Sequence, residues 1–64
     1  MNPRDICLKK LKENGYQFRR HGSGHDIFYN PETKQTIPIK RHVFNENDLR
    51  YIMKEIGVKW KKGG

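Results

Sequence analysis

Paired cysteines, acidic residues and long apolar runs are all scarce in this chain of 64 residues. A membrane-spanning helix needs about 20 consecutive apolar residues, and the sequence contains no such run. No apolar segment typical of a secretory signal follows the N-terminus. Cys7 is the single cysteine and therefore cannot form an internal disulfide, which suits a reducing compartment. We therefore expect a cytoplasmic protein.

Apolar residues are also few, at 33% of the sequence. A chain this short buries only about 60% of the surface that it exposes when unfolded, so its core must be one thin layer. We expect a single domain over residues 1–64, with 59–64 as a flexible basic tail. A deep substrate cavity is excluded, and an active site would be open and shallow.

The residue patterns of several common sites are missing. No Cys/His spacing suits zinc, and the acids do not cluster as a magnesium-dependent nuclease would need. No phosphate-binding loop or dinucleotide fingerprint is present. We therefore predict no cofactor and no metal. Cys7 lies on an apolar helical stripe, where an inert buried thiol is expected.

Basic residues are abundant: 14 Lys and Arg against 7 Asp and Glu give a formal net charge of +7. This charge favours a polyanionic partner, which would be a nucleic acid, an anionic membrane or an acidic protein. Small basic proteins without a specific partner are also common, so the charge alone does not decide among these alternatives.

Helix signals stand at both ends of the chain, with strand patterns between them. Asn2 and Asn45 are candidate N-caps, and Asp48 can complete a capping box with Asn45. Alternating segments and turn formers predict three strands, of which the last contains Pro38 and should lie at an edge or point that residue outward. The predicted elements are a helix over Pro3–Asn14, strands over Tyr16–Arg19, His25–Asn30 and Thr36–Lys40, and a helix from Asn45 to Gly57.

This order predicts an α+β domain, α-β-β-β-α, with a three-stranded antiparallel sheet. Each helix has one apolar stripe, so both helices should pack on the same sheet face. Val58 is expected to fold back on the last turn of the second helix.

His25 is the best candidate for acid–base chemistry, because an imidazole exchanges protons near neutral pH. It follows the turn Gly22-Ser23-Gly24, which supports the site and is flexible enough to bring a backbone close to a ligand. A structural or incidental role for His25 is the alternative. His21 would bind phosphate or stay solvated. His42 would meet His25 across the sheet edge or only anchor the connection to the second helix.

Alternation along the second strand directs Asp26 away from His25, so the two should not form a catalytic dyad. If Ile27 faces the helices, Phe28 faces outward and can stack on a nucleobase. In the alternative, Phe28 belongs to the core and Ile27 lies outside. The full set of predicted RNA-binding residues is Arg19, Arg20, His21, Phe28, Lys40, Arg41 and His42.

Four segments in this order resemble the HicA-type toxins, also called YcfA-like proteins, over nearly the whole chain from Leu8 to Val58. Many members have Gly-Ser-His without the intervening Gly24, and many have proline where Lys40 stands. The segments run from Leu11 to Tyr16 (LKENGY), from Arg20 to Thr33 (RHGSGHDIFYNPET), from Ile37 to His42 (IPIKRH) and from Leu49 to Gly57 (LRYIMKEIG).

The resemblance implies a fold similar to a double-stranded-RNA-binding domain. It also implies an endoribonuclease that cleaves mRNA, arrests growth and is held inactive by a HicB-type antitoxin. We expect this cleavage to need no metal, and we expect the antitoxin to cover the active site. The family's catalytic histidine falls on His25. We expect the free toxin to be monomeric. The alternatives are a non-catalytic RNA-binding module and an adaptor for an acidic protein.

Overall fold

The computed structural model describes residues 2–59, so most of the predicted basic tail, residues 60–64, lies outside the described residues. The order α-β-β-β-α is confirmed. The first strand starts one residue later and continues two residues further than predicted, and the second helix starts one residue later and ends two residues earlier than predicted. The elements are α1 (Pro3–Glu13), β1 (Gln17–His21), β2 (His25–Asn30), β3 (Gln35–Lys40) and α2 (Glu46–Glu55).

Both helices begin and end with the hydrogen bonds that their sequences predict. The Asn2 side chain accepts from the backbone N–H of Asp5 at 2.8 Å, which caps α1. The capping box of α2 is complete, since Asn45 and Asp48 each accept from the other's backbone N–H. At the end of α2 the Val58 N–H donates to the Met53 carbonyl at 2.8 Å, so the predicted fold-back is confirmed.

The three strands form an antiparallel sheet in the order β1-β2-β3. Pro38 therefore lies on an edge strand, where its missing N–H costs no ladder bond, and its side chain is exposed as predicted. The β1–β2 register shifts between Phe18 and Arg20, which makes Arg19 a β-bulge. A bulge reverses the alternation of every residue after it.

The core lies between one sheet face and both helices, as predicted. Eight residues are buried in one cluster: Cys7, Leu11, Tyr16, Ile37, Ile39, Leu49, Ile52 and Met53. Cys7 has no exposed surface, and this burial raises the pKa of its thiol to about 11. A neutral buried thiol is a poor nucleophile, in agreement with the inert role expected for it.

The register decides which residue of β2 faces the core. Phe28 pairs with buried Ile37, whereas Ile27 pairs with exposed Pro38. Directly opposed residues share a sheet face, so Phe28 points toward the helices and Ile27 points to the outer face. The expectation of an outward Phe28 that stacks on a nucleobase is therefore wrong, and the core alternative is the one observed.

Neither helix in residues 2–59 has the length and apolar character needed to cross a membrane.

Candidate active site

Titratable side chains at the β1–β2 turn divide into two groups according to the sheet face that they occupy. Asp26 pairs with buried Ile39 and lies on the helix face, whereas His25 pairs with Lys40 and lies on the outer face. His25 and Asp26 do not bond to each other, as alternation predicts.

The first group, the Asp26 cluster, consists of Arg4, His21, Asp26 and Arg41. The Arg4 guanidinium donates to Asp26 Oδ2 and to the Lys40 carbonyl, the latter at 2.9 Å. Oδ1 of Asp26 lies 2.7 Å from His21 Nδ1 and 3.7 Å from the Arg41 guanidinium. One carboxylate thus joins α1, the end of β1 and the residue that follows β3.

Protonation within the Asp26 cluster follows from these contacts. The His21 hydrogen bond, followed by that from Arg4, lowers the pKa of Asp26 against the opposing effect of burial. His21 Nδ1 must carry the proton it donates to this carboxylate. Its 3.3 Å approach to Arg41 is then a contact between two donors and not a hydrogen bond. His21 and Arg41 therefore have structural partners, which reduces their availability to phosphate.

The glycine turn is held from both sides. Arg41 donates from its side chain to the Gly22 carbonyl at 2.8 Å and from its backbone N–H to the Gly24 carbonyl at 3.2 Å. The Gly22 N–H closes the turn on the His25 carbonyl at 2.7 Å. Gly24 has a φ of 76°, a conformation that L-residues rarely adopt. Arg41 thereby fixes the backbone immediately before His25.

His25 begins β2 and is half-buried. Its Nδ1 lies 3.3 Å from the Ser23 carbonyl oxygen. A carbonyl oxygen only accepts, so Nδ1 carries the proton in this contact and a neutral ring keeps its lone pair on Nε2. Nε2 has no hydrogen-bond partner within residues 2–59. This tautomer leaves Nε2 as a proton acceptor.

A shallow cleft of about 190 Å³ opens beside His25, at the sheet edge where β3 leads to α2. We call it the His25 cleft. Its size agrees with the open, shallow site that the small core predicts. It is lined by His25, Pro38, Lys40, Phe44, Asp48, Tyr51 and Ile52.

Lys40 is the cation closest in register to His25, since the two residues are directly opposed on β3 and β2. Its ammonium lies 3.1 Å from Asp48 Oδ1. The other oxygen of Asp48 accepts from the Asn45 N–H at 3.0 Å. That backbone bond, followed by the Lys40 contact, lowers the pKa of Asp48. Asp48 thus caps α2 and holds Lys40 at the His25 cleft.

Arginines border this site on the outer sheet face. The Arg19 guanidinium lies 4.8 Å from the centroid of the Tyr29 ring, in a cation–π contact. Arg20 pairs with Ile27 and is exposed. Neither side chain forms an ion pair with another described residue. Both arginines are therefore free to contact an anionic polymer.

The structure brings only some of the predicted residues together. His25 and Lys40 share the cleft, with Arg19 and Arg20 on the same sheet face. His42 is exposed in the loop before α2 and is not a lining residue of the cleft, so it does not meet His25 there. Phe28 lines a separate groove beside Leu8 and Phe18.

Three contributors were missed in the sequence. Arg4 binds Asp26, 22 positions away, and no local pattern in the sequence signals this contact. Asp48 was recognised as a cap but not as the partner of Lys40. Tyr51 was not considered, although an aromatic residue outside the apolar stripe of α2 was a visible signal.

Within residues 2–59, no group of three or more His, Cys, Asp or Glu side chains lies close enough together to hold a metal ion. The chemistry that these residues themselves offer is proton transfer at His25 and charge stabilisation by Lys40, Arg19 and Arg20.

Comparison with protein families gives one match. A family model described as HicA toxin of bacterial toxin–antitoxin matches residues 4–58. The match runs from the first turn of α1 to the residue after Gly57, so it includes the glycine turn, the Asp26 cluster and the His25 cleft. Comparison with curated proteins and with solved structures found no match.

Proposed function

This chain belongs to the HicA toxin family of bacterial toxin–antitoxin systems, and we propose that it acts as an endoribonuclease that cleaves mRNA in the cytoplasm. The observation that carries this proposal is the state of His25: Nδ1 faces the Ser23 carbonyl, Nε2 has no partner among residues 2–59, and the residue lines a cleft. An imidazole held in this tautomer is ready to accept a proton.

In the proposed reaction, His25 Nε2 takes the proton of a ribose 2′-hydroxyl, and the 2′-oxygen attacks the adjacent phosphorus. The bond from phosphorus to the 5′-oxygen breaks, and that oxygen leaves with a proton supplied by an acid or by water. The products are a 2′,3′-cyclic phosphate and a 5′-hydroxyl. His25 serves as the base here, and the same ring once protonated can act as the acid.

Charge develops on the phosphoryl oxygens during this attack. Lys40 is directly opposed to His25 on the neighbouring strand and lines the same cleft, so its ammonium is a candidate to stabilise that charge. Arg19 and Arg20 would hold the RNA backbone along the outer face. Each phosphate contact on a single strand should contribute a slope of about −0.7 to the dependence of log affinity on log salt.

A HicB-type antitoxin is the proposed partner. Covering the His25 cleft and the adjacent arginines would block both proton transfer and RNA binding, and a net charge of +7 favours an acidic covering surface. We propose that the free toxin is a monomer. A complex in which His25 remained open to solvent would contradict this mode of inhibition.

The test is induction of the wild-type chain and of His25→Ala in a bacterial host, with growth and RNA integrity followed together. We expect growth arrest and mRNA fragmentation with the wild type only. Purified wild type should cleave RNA in the presence of a chelator and leave 5′-hydroxyl ends. Products with a 5′-phosphate would contradict attack by the 2′-hydroxyl.

Two other outcomes separate this proposal from its alternatives. Harmless expression of soluble, folded wild type that still binds RNA would favour a non-catalytic RNA-binding module. Absence of RNA binding even at low salt would favour an adaptor for an acidic protein. Equal toxicity of both chains would retain the toxin and remove His25 from its mechanism.

A further inference from the structure

We propose that Tyr51, with Phe44 and Pro38, forms a nucleobase subsite inside the His25 cleft. The subsite would take the base of a nucleotide adjacent to the scissile phosphate. This inference rests on the proposed ribonuclease function, because it names where the substrate's base lies relative to His25.

Tyr51 is placed for contact with a ligand and not for packing in the core. Its neighbours on the chain, Ile52 and Met53, are buried, whereas 63% of Tyr51 is exposed. An exposed aromatic side chain by itself needs no explanation. Tyr51, however, is a lining residue of the same cleft as His25.

The cleft surface around Tyr51 is apolar on one side. Pro38 is exposed on the edge strand, Phe44 is half-buried before α2, and Ile52 is buried within the cleft lining. Flat apolar and aromatic surfaces of this kind bind nucleobases by stacking, and every base offers a π-face to them. Stacking therefore fits this surface better than binding of a charged group.

The size of the cleft sets a limit on its ligand. Pockets for drug-sized molecules measure roughly 300–1,000 Å³, and the His25 cleft measures about 190 Å³. A single planar ring is the fragment of RNA that suits this smaller space. The sugar–phosphate backbone would remain outside, where His25 and Lys40 lie side by side on the sheet.

Polar groups complete the subsite. One oxygen of Asp48 forms an ion pair with the Lys40 ammonium, and the other accepts a hydrogen bond from the Asn45 N–H. A carboxylate has about four acceptor positions, so Asp48 retains capacity for an exocyclic amino group of a base. The Lys40 ammonium has three donors and can serve Asp48 and a phosphate together.

A second apolar groove supplies the matched control. It lies between α1 and β1 and includes Phe18, which is 50% exposed, but no His, Asp or Glu is among its lining residues. Phe18 and Tyr51 are thus two exposed aromatic residues of similar size, of which only Tyr51 lines the His25 cleft. Replacement of either by alanine removes an exposed ring.

The experiment measures binding of a short single-stranded RNA in the His25→Ala background, which prevents cleavage. Tyr51→Ala should weaken binding about tenfold, within the range found for loss of one stacked base. Tyr51→Phe should bind like the parent chain, because it keeps the ring, and so should Phe18→Ala. Circular dichroism checks that each variant is folded.

A set of the same RNA lacking one base at a time locates the contact. At one position, removal of the base should make Tyr51→Ala and the parent chain bind equally, since the stacked pair is already lost. The proposal is overturned if Tyr51→Ala binds as tightly as the parent. It is also overturned if the Tyr51→Ala defect is the same for every abasic RNA, or if Phe18→Ala shows an equal defect.

Failure of the proposed function gives a different pattern. Wild-type cleavage of the intact RNA is measured in parallel. If the wild type cleaves RNA and Tyr51→Ala binds RNA as tightly as its parent, the subsite is refuted and the ribonuclease function is retained. RNA binding without cleavage refutes the ribonuclease, and the abasic series then shows whether a base-binding site remains. Absence of RNA binding by every variant refutes both.

Discussion

The Asp26 cluster and the His25 cleft are built around adjacent residues of one strand. The Asp26 side chain is bound in ionic contacts, whereas the His25 side chain is available to a ligand. On the helix face, the Asp26 carboxylate binds Arg4 and His21, and Arg41 is close by. On the outer face, His25 lines a cleft, and its Nε2 has no partner in the described part of the chain. Alternation along β2 thus separates a structural ionic cluster from a group available for chemistry.

The two histidines show that exposure alone is a poor guide to function. His21 is the more exposed, with 68% of its side chain accessible, but its Nδ1 donates to a carboxylate. His25 is half-buried, and its Nδ1 contacts a backbone carbonyl. The partner of each ring, and not its accessibility, decides whether a nitrogen remains for proton transfer.

The largest expected effect follows from the difference between these histidines. His25→Ala should lower the RNA cleavage rate by about 10²–10⁴-fold, the usual contribution of general acid–base catalysis. His21→Ala should keep most of the activity, because His21 binds the Asp26 carboxylate and does not line the His25 cleft. Cleavage rates of folded, purified variants check this. A larger loss with His21→Ala would reverse the assignment of the two rings.

Asp26→Ala should give the next largest effect, a lower melting temperature with a smaller loss of cleavage. It removes the carboxylate that joins three segments and leaves Arg4 and Arg41 without their anion. Glu32→Ala is the control, since it removes an exposed acid whose side chain has no partner within residues 2–59. Equal melting temperatures for both variants would show that the Asp26 cluster is not structural.

Substitution in the glycine turn, which connects the Asp26 cluster to the His25 cleft, should lower the free energy of unfolding moderately. Gly24→Ala places a side chain at a φ of 76°, where its Cβ meets no atom within 4 Å, so only backbone strain of about 1–2 kcal/mol is expected. Gly24→Asn should cost less, because asparagine tolerates this conformation. Urea denaturation measures both. A larger loss with Gly24→Asn would contradict strain as the cause.

Acid should destabilise both the Asp26 cluster and the His25 cleft. The contribution of each carboxylate alone should be the smallest of the expected effects. Folding lowers the pKa of Asp26 and of Asp48 below 3.8, so the folded chain binds fewer protons than the unfolded chain just below that pH. Their stabilisation is complete above the unfolded pKa and is lost as the pH falls through the folded pKa. Asp26→Asn and Asp48→Asn should each flatten this acid limb in urea denaturation between about pH 2 and 6. An unchanged limb would contradict the contribution of that carboxylate.

Much of the fold could be predicted because its signals are local. The caps Asn2 and Asn45 and the apolar stripe of α2 depend on residues within one or two helical turns. Alternation correctly separated His25 from Asp26. The same rule fails for His21, because the bulge at Arg19 reverses alternation and turns His21 to the helix face, where Asp26 lies. No composition signal marked that bulge.

The partners of charged residues could not be predicted. Arg41 follows a strand that carries Lys40, and both were expected to bind RNA. In the fold Arg41 binds the glycine turn and Lys40 binds Asp48. Each contact joins residues distant in sequence, and long, exposed side chains have no periodicity that reveals such pairings.

The sequence by itself determined the order of the elements, the N-caps of both helices, the thin core and the candidacy of His25, because these depend on neighbouring residues and on charge. Only the tertiary structure decided which ionisable groups are already paired and which meet at the His25 cleft. The bulge at Arg19, the strand register and the approach of α2 to β3 set those distances. Such distances arise from the packing of whole elements, which no local pattern encodes.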